Sequence, residues 1–393
     1  MSSATAPRPA PARKGRAISL EDRSAEIASA ACAVAVDDHL LVAECGSGDV
    51  RLFNPTAAFI WRRLEERLSE ASIAQAVARD FGVDYRIAHA DVAATLEAWI
   101  AAGLATFEGG LRHAPSPAGA VEEIFSRETE HRRYRLGDAR FSVRYRLAAN
   151  AGDRQHRFHE RVMALLAPLE DAVRGRGPEI ELAIDRTHAT AYGPFCRRIV
   201  GSLFGPFEWL FTLHASVLAP ASRAIALCAP QGGGKSTLAA YLAARGWRYF
   251  NDDLAIVDPR GPAVLPLPVA LGVKPGARGM LESDYPALRR APVHRYGRKA
   301  VRYVAVRRSA MGTEPAPLAA IVFSRYEAGA ALTMRSVAPA QAARAVMEAG
   351  IVFSPALRHE MVDWMGRLLQ DIPCLQLRYS NLSEAEAALR TVS

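Results

Sequence analysis

The sequence predicts two folded parts, a small winged-helix-like α+β domain followed by a larger α/β domain. The chain has 393 residues, which is too long for one ordinary core. Three short strand-like runs followed by three helical runs occupy the N-terminal part, and a strand, a glycine loop and a helix follow one another further on. Half of the residues are apolar and 23% are charged, which is typical of a globular protein.

Changes in composition set the predicted boundaries. Residues 1–24 are predicted to be a disordered basic leader, because their start is rich in Pro, Ala, Ser, Arg and Lys and has no apolar run of signal-peptide length. The first domain is expected at 25–108. Residues 109–137 contain a Gly-Gly pair and a Pro-Ser-Pro segment and are predicted to be a linker. The second domain then covers 138–393.

The first domain begins with three predicted strands, Cys32–Val36, Leu40–Glu44 and Asp49–Phe53, separated by an Asp-Asp pair and by Gly-Ser-Gly. Helical spacing of apolar residues follows. Asn54 is the predicted cap of the first helix, the second ends at Phe81-Gly82, and the third runs from about Ile87 to Ala102.

The run from Val50 to Trp61, the Phe81-Gly82 helix end and the closing Gly103-Leu104 resemble the PqqD family over residues 25–108. Domains of that family recognise precursor peptides, since they bind the leader of a ribosomally made peptide as an added strand. The resemblance therefore implies a precursor peptide as partner, held between the last strand and the third helix. The residues predicted to contact the peptide are Val50, Leu52, Phe53, Leu96 and Trp99.

A winged-helix architecture could also bind DNA, and the formal net charge is +8. The third helix argues against DNA, because Asp91 to Ala102 contains two acidic residues and no Lys or Arg. The excess charge lies instead in Lys274–Arg308, where it can serve phosphate groups equally well. We therefore expect no nucleic-acid partner.

The chemistry-bearing segment of the second domain is strand, glycine loop and helix. The apolar run Arg223–Ala229 precedes Pro230–Thr237, and an Ala/Leu-rich helix follows. A phosphate needs inward-pointing backbone N–H groups and the positive end of a helix, which is what a P-loop provides. Lys235 is then the cation for the terminal phosphates and Ser236 the hydroxyl for Mg²⁺. The predicted nucleotide-binding residues are Gln231, Gly232, Gly233, Gly234, Lys235, Ser236 and Thr237.

One position departs from the P-loop pattern, which has glycine where this chain has Ala229. A methyl group there is tolerated if the backbone stays outside the left-handed region. Downstream, Asp252 and Asp253 follow a second short strand. Two adjacent carboxylates at that point are suited to hold Mg²⁺ and to accept a proton from an attacking hydroxyl.

A second resemblance is to the HPr serine kinase family, over about residues 140–393. It rests on His214-Ala-Ser-Val-Leu218, on Gly233–Ser236, on Arg245-Gly246 and on the two aspartates, and more loosely on Leu271–Lys274 and Gly297–Arg302. It implies a P-loop kinase fold akin to phosphoenolpyruvate carboxykinase and a serine hydroxyl on a protein as acceptor. Carried over by position, Asp252 is the general base, Asp253 lies on the metal side, and His214 lies near the phosphates.

Phosphoryl transfer also needs a cation near the transferred group. The candidates are Lys274, Arg278, Arg298 and Arg302, of which Arg302 is preferred because it follows a Gly-containing turn and enters an apolar run.

Together these inferences predict a peptide serine kinase that uses ATP and Mg²⁺ on a captured precursor peptide. Two alternatives stay open: ATP-dependent activation of a peptide carboxylate or amide for cyclisation or elimination, and a nucleotide-gated peptide-binding regulator without transfer. Five cysteines with no CxxC pair favour a reducing, cytoplasmic setting, and no membrane partner is expected. HPr kinases are hexamers as a family, so a homo-oligomer is possible, but the sequence fixes no assembly.

Overall fold

The computed structural model describes residues 24–45, 49–107, 130–149, 151–171, 177–184, 192–204, 211–230, 232–258, 261–296, 299–353 and 359–392. The strands are β1 (Ala25–Ile27), β2 (Ala31–Val36), β3 (His39–Glu44), β4 (Val50–Phe53), β5 (Ala105–Phe107), β6 (Glu130–Leu136), β7 (Ala139–Leu147), β8 (Glu179–Ile184), β9 (Phe211–Leu213), β10 (Ala215–Ala219), β11 (Ala224–Cys228), β12 (Arg248–Asn251), β13 (Ala255–Asp258), β14 (Ala263–Leu265), β15 (Leu271–Val273), β16 (Val293–Tyr296), β17 (Lys299–Val304), β18 (Ala316–Tyr326), β19 (Thr333–Ser336), β20 (Ile351–Phe353) and β21 (Cys374–Tyr379).

The helices are α1 (Pro55–Glu65), α2 (Glu70–Phe81), α3 (Tyr85–Ala101), α4 (Asp153–Leu166), α5 (Tyr192–Phe204), α6 (Lys235–Ala244), α7 (Arg278–Leu281), α8 (Pro339–Ala349), α9 (His359–Asp371) and α10 (Leu382–Arg390). Among the described helices, none has the length and apolarity needed to cross a membrane.

The chain divides into two compact units. Among the described residues, the smaller unit contains those in 24–31 and 53–107, and the larger contains those in 32–52 and from 130 onward. The predicted boundary kept residues 25–108 together, so the structure differs in placing most of β2, β3 and β4 with the larger unit.

The smaller unit consists of α1, α2 and α3 with the two-stranded sheet β1–β5. Asn54 caps α1 as predicted, since its side chain accepts the backbone N–H of Ala57 at 2.9 Å. Ser69 caps α2, and Gly82 ends that helix in the left-handed conformation. An aromatic group fills the centre, where Phe53 stacks on Trp99 at 4.8 Å and both rings pack against Trp61.

Strands β2, β3 and β4 form a three-stranded antiparallel sheet, here called the N-terminal sheet. Its apolar side chains, such as Val36 and Leu41, share a core with Met361 and Met365 of α9. Gly366 makes this packing possible, because a Cβ at that position would lie only 2.4 Å from Val34 Cγ1. Apolar burial against α9 therefore explains why these strands belong to the larger unit.

Two hydrogen bonds reinforce that attachment. The Gln370 side chain donates to the carbonyl oxygen of Ala35 at 3.2 Å, and the Ala340 backbone N–H donates to the Asp37 carboxylate at 2.9 Å. Strand β2 is thereby tied to α9, and the turn after β2 is tied to the start of α8. Strand β4 is the edge strand on the opposite side of the sheet.

The larger unit is built on a sheet of ten strands within the described residues. Strand β11 lies parallel to β18, and β18 lies parallel to β21, whereas β10 and β12 are antiparallel neighbours on the other side of β11. Helix α6 packs on this sheet through Leu238 and Leu242. Parallel strands end at the same edge, so β11, β18 and β21 all finish at the edge from which α6 begins.

Two small sheets complete the unit, β6-β7-β8 and β15-β17-β16. The first packs on α4 through a core that includes Tyr145, Val143 and Val162. Within the first sheet, β7 is antiparallel to β6 and parallel to β8. The mixed α/β class predicted for this part of the chain agrees with the structure.

Candidate functional site

The glycine loop connects β11 to α6 and needs glycine for two reasons. Gly232 and Gly234 have φ values of +87° and +88°, in the region where side chains are strained. A Cβ on Gly234 would also lie 2.9 Å from both Tyr326 Cβ and the Tyr379 hydroxyl oxygen. The loop is closed by the Gly233 backbone N–H, which donates to the Pro230 carbonyl at 2.9 Å.

Ala229, the position off the P-loop pattern, is accommodated without strain. The non-glycine residues with positive φ in the described chain are Asp37, Arg67 and Asp253, so Ala229 is outside the left-handed region as expected. Its side chain is buried at the base of the loop. Gln231, predicted to contact the nucleotide, lies outside the described residues.

Lys235 begins α6 and is almost fully buried. Its Nζ atom lies 2.7 Å from Asp253 Oδ1, 4.0 Å from Asp252 Oδ1 and 3.5 Å from His214 Nε2. The structure therefore brings together four residues that the sequence analysis selected from segments well separated along the chain.

Asp252 follows β12 and has a buried side chain that two hydroxyl groups hold in place. Ser216 Oγ donates to Asp252 Oδ1 at 2.5 Å, and Ser236 Oγ donates to the same oxygen at 3.3 Å. Ser216 lies in β10, next to β12 in the sheet. Neutral hydroxyl donors fix the orientation of a buried carboxylate. Because both donate to Oδ1, neither occupies the second oxygen of Asp252.

Asp253 lies beside it in a left-handed conformation, φ +72°, which is uncommon for a residue with a side chain. About 44% of its side chain is exposed, against 3% for Asp252. The unusual backbone turns Asp253 toward Lys235. His214 contacts the same residue, with Nδ1 3.2 Å from the Asp253 carbonyl oxygen.

The surroundings separate the pKa values of the two carboxyl groups. Burial raises the pKa of Asp252, and the Asp253 charge acts in the same direction. Burial would also raise the pKa of Asp253, but the charge of Lys235 and its hydrogen bond outweigh burial, and the pKa of Asp253 falls to about 2. Burial would lower the pKa of Lys235, but the two carboxylates raise it. Burial and Lys235 lower the pKa of His214, so its ring is neutral at pH 7.

These groups line one cavity of about 590 Å³. All of the described loop glycines and Ser236, Thr237, His214, Asp252 and Asp253 contact it. Three further cations line it, namely Arg161 of α4, Lys274 after β15 and Lys299 of β17. Arg161 Nε donates to the Tyr303 hydroxyl at 2.7 Å on the cavity wall.

Arg302, the preferred transition-state cation, is not part of the cavity lining. Side chains alternate along a strand, and Val301 and Tyr303 of β17 are the ones that face the cavity. Arg302 instead donates to the carbonyl oxygen of Ala291. The prediction chose the right strand and the wrong face. Of the candidates that the structure describes, Lys274 lines the cavity, and Arg298 lies outside the described residues.

The donor set suits a hard divalent cation. Carboxylate oxygens of Asp252 and Asp253 and the Ser236 hydroxyl are oxygen ligands of the kind that Mg²⁺ prefers. Among the described residues, no group of three or more His, Cys, Asp or Glu side chains forms a complete metal cage. An ion here would share its coordination with phosphate and water, as Mg²⁺ usually does.

The residues predicted to contact a peptide fall into two sets. Val50 and Leu52 of β4 are partly buried and pack against the core of the larger unit. Phe53, Leu96 and Trp99 are 7%, 1% and 5% exposed and belong to the interior of the smaller unit. Burial leaves these three side chains little surface for a ligand, which differs from the predicted groove contact.

Several residues of the site were not predicted from the sequence. Ser216 lies inside the His214–Leu218 motif, and its position two residues after His214 on a strand was the available signal. Lys299 lies inside the quoted stretch Gly297–Arg302, where Arg298 and Arg302 were selected instead. Arg161 and the tyrosines Tyr326 and Tyr379 come from distant segments, and no local pattern marks them.

Comparison with known proteins adds three findings. Residues 39–105 match the family model for coenzyme PQQ synthesis protein D, PqqD. The structure of TbiB1 in complex with the TbiA(beta) leader peptide covers 22% of this chain and 99% of its own, with 23% identity and a TM-score of 0.21. The Hpr(Ser) kinase/phosphatase from Coxiella burnetii covers 46% of this chain and 94% of its own, with 10% identity and a TM-score of 0.23.

At these TM-scores neither structure carries an argument about fold or activity. No curated protein matches the chain significantly. The family match confirms the PqqD resemblance for residues 39–105. The chain therefore contains a PqqD domain at residues 39–105, which spans β3, β4, α1, α2, α3 and the start of β5.

Proposed function

We propose that this protein is an ATP-dependent kinase that phosphorylates a hydroxyl, of serine by preference, on a ribosomally made precursor peptide held by its PqqD domain. One observation carries the proposal: the glycine loop, Lys235, Ser236 and the two aspartates line a single cavity. Phosphoryl transfer requires those groups at one place, because its catalysis is mainly positioning and charge stabilisation.

The loop acts as a P-loop in this proposal. Backbone N–H groups of Gly232 and Gly234 and the N-terminal end of α6 receive the phosphates, while the Gly233 N–H closes the loop and the two left-handed glycines set its geometry. Lys235, already held at the start of α6, supplies the cation for the terminal phosphates.

Ser236 and Asp253 would hold Mg²⁺, with Asp252 beside them. The ion would supply positive charge that offsets the negative charge of the phosphates. Asp253 keeps its charge because Lys235 stabilises it, which suits a residue on the metal side.

Asp252 is proposed to orient the acceptor hydroxyl and to receive its proton. Its carboxylate lines the cavity, and Ser216 and Ser236 fix one of its oxygens. A general base must be within hydrogen-bond reach of the proton it takes, so a fixed carboxylate on the cavity wall meets the geometric requirement. Ser216 is then a positioning residue.

Lys274 replaces Arg302 as the proposed transition-state cation. It lines the cavity close enough to Asp253 for its charge to lower the pKa of that carboxyl. A lysine on the cavity wall near Asp253 can reach the negative charge that develops on the transferred phosphoryl group.

The leader peptide is proposed to add to the N-terminal sheet at β4. That strand is an edge of the sheet and lies within the PqqD match. An extended peptide gains backbone hydrogen bonds along such an edge, and tethering then raises the effective concentration of the rest of the precursor at the cavity.

The test uses the full chain, labelled ATP, Mg²⁺ and candidate precursor peptides. Label transfer should be lost in Lys235→Ala and in Asp252→Asn, and Lys274→Ala should reduce it by about 100-fold or more. Arg302→Ala is the matched control, a cation in the same segment but outside the cavity, and should keep most of the activity. Label transfer that survives both Lys235→Ala and Asp252→Asn would contradict the proposal.

The intact mass of the peptide product separates this function from the second candidate. A gain of one phosphate supports a kinase, whereas loss of one water supports activation of a carboxylate or amide.

A further inference from the structure

The cavity has a second side that the phosphates, the metal and the acceptor leave unused. It lies at the carboxyl ends of β18 and β21, where Tyr326 ends one strand and Tyr379 ends the other, and it continues through Ser380, Asn381 and Leu382 at the start of α10. The two aspartates lie on the opposite side of β11, at the end of β12. The glycine loop separates the two sides.

This arrangement gives the proposed nucleotide a direction. Its terminal phosphate must lie near Lys235 and Asp252, on the β10–β12 side of the loop. The phosphates then follow the loop, and the rest of the nucleotide leaves it on the β18–β21 side. In parallel sheets ligands bind outside the carboxyl ends of the strands, which are the ends that β11, β18 and β21 share here.

Tyr326 is suited to receive a flat ring. About 46% of its surface is exposed although it lines the cavity. Its backbone is fixed to the loop, because its N–H donates to the Gly233 carbonyl at 3.1 Å and its Cβ lies against Gly234. The ring is also supported edge-on by Tyr379, with centroids 5.8 Å apart and an interplanar angle of 70°.

Tyr379 itself is 1% exposed and serves as that support. Two tyrosines packed on the loop glycine thus hold one aromatic face in a constant position relative to the phosphates. A half-exposed aromatic ring held rigidly in a cavity is what base stacking requires.

We infer that Tyr326 stacks on the nucleobase of the bound nucleotide, and that the segment Ser380–Leu382 borders the nucleoside. This inference rests on the proposed function, since it assigns the nucleoside part of the same site. It leaves the wall formed by Arg161, Lys274 and Lys299 for the acceptor side.

The experiment compares two ligands that share phosphates and differ in the nucleoside: ATP and inorganic tripolyphosphate, each with Mg²⁺, measured by calorimetric titration on the full chain. Tyr326→Ala should weaken ATP binding by about 10-fold or more, as expected for a lost base stack. Its affinity for tripolyphosphate should stay within about twofold of wild type, because alanine keeps the Cβ and the backbone N–H that support the loop. Tyr326→Phe should bind ATP like wild type.

Tyr85→Ala is the matched control, since Tyr85 is 41% exposed and lies on α3, and it should change neither affinity. Equal ATP affinity in Tyr326→Ala and wild type would overturn the stacking assignment while leaving the proposed function intact. A parallel loss of tripolyphosphate binding would also overturn it, because the ring would then act on the loop alone. If wild type bound neither ligand, the proposed function would fail and this inference with it.

Discussion

The cavity at the glycine loop is lined by charged groups that partner one another, whereas the N-terminal sheet is attached by apolar packing against α9. In the cavity, Lys235 contacts two carboxylates and a neutral histidine within 4.0 Å. In the sheet, Val34 packs directly against Gly366, and Val36 and Leu41 are fully buried. The two regions belong to one compact unit but depend on different interactions, so substitutions should affect them separately.

The largest expected effect tests this separation from the cavity side. Lys235→Ala removes the cation for the terminal phosphates and leaves two carboxylates in the cavity without it, so phosphate transfer should fall by at least about 100-fold. Leader affinity, measured by fluorescence anisotropy with a labelled leader peptide, should not change. Weaker leader binding in this variant would show that the two regions are coupled.

Gly366→Ala tests the apolar attachment. Alanine favours helix, but its Cβ would meet Val34 Cγ1 at 2.4 Å, and overpacking of this kind costs about 1–3 kcal/mol. The free energy of unfolding, measured in urea, should therefore decrease. Gly201→Ala in α5 is the control, because nothing lies within 4 Å of the added methyl group.

A second substitution makes that result specific. Val34→Ala removes the methyl groups that Gly366→Ala would strike, so the double variant should recover part of the lost stability relative to the sum of the single effects. Strict additivity would mean that the contact between β2 and α9 is not what Gly366 protects.

The edge of the N-terminal sheet gives a moderate effect. Neighbouring residues of a strand direct their N–H groups to opposite sides, so either Val50→Pro or Arg51→Pro removes a donor from the free edge of β4. The variant that removes the free-edge donor should weaken leader binding about 10-fold while ATP affinity stays constant. The variant that removes the donor facing β3 should disturb the pairing of β4 with β3, which would be visible as a lower melting temperature. Unchanged leader affinity in both would exclude β4 as the docking edge.

The smallest effect is chemical. Burial, together with a hydrogen bond to Cys45, raises the pKa of Cys32 in β2 to about 12. The thiolate reacts and the thiol does not, so Cys32 should resist iodoacetamide at pH 8 until urea unfolds the chain. Peptide mass mapping checks this, and the Gly366→Ala variant should label faster. Rapid labelling of native Cys32 would contradict the packing of the sheet on α9.

The sequence was sufficient where function depends on neighbouring residues. The glycine loop with Lys235 and Ser236 is one short motif, and the pair Asp252-Asp253 is another. The structure brings both motifs together with His214. It failed where the relevant neighbour lies far along the chain. Arg302 was chosen without knowing which face of β17 meets the cavity, and Tyr326 and Tyr379 reach the loop only because β18 and β21 extend the parallel sheet.

The N-terminal sheet teaches the same lesson. Its three strands were predicted from turn residues and alternation, and they are present as β2, β3 and β4. Their attachment to α9 could not be predicted, because the partner helix begins at His359, roughly three hundred residues later. A local pattern defines an element but does not identify the surface that covers it.

The contact between Lys235 and Asp253 has one more consequence. The ammonium group of Lys235 and the carboxylate of Asp253 neutralise each other, with the Asp252 carboxyl group beside the pair. When Lys235 binds a triphosphate, Asp253 loses its counterion, and the negatively charged phosphates lie beside the Asp253 carboxylate. A divalent cation bound with the triphosphate would offset this negative charge. Free ATP should therefore bind far more weakly than its magnesium complex.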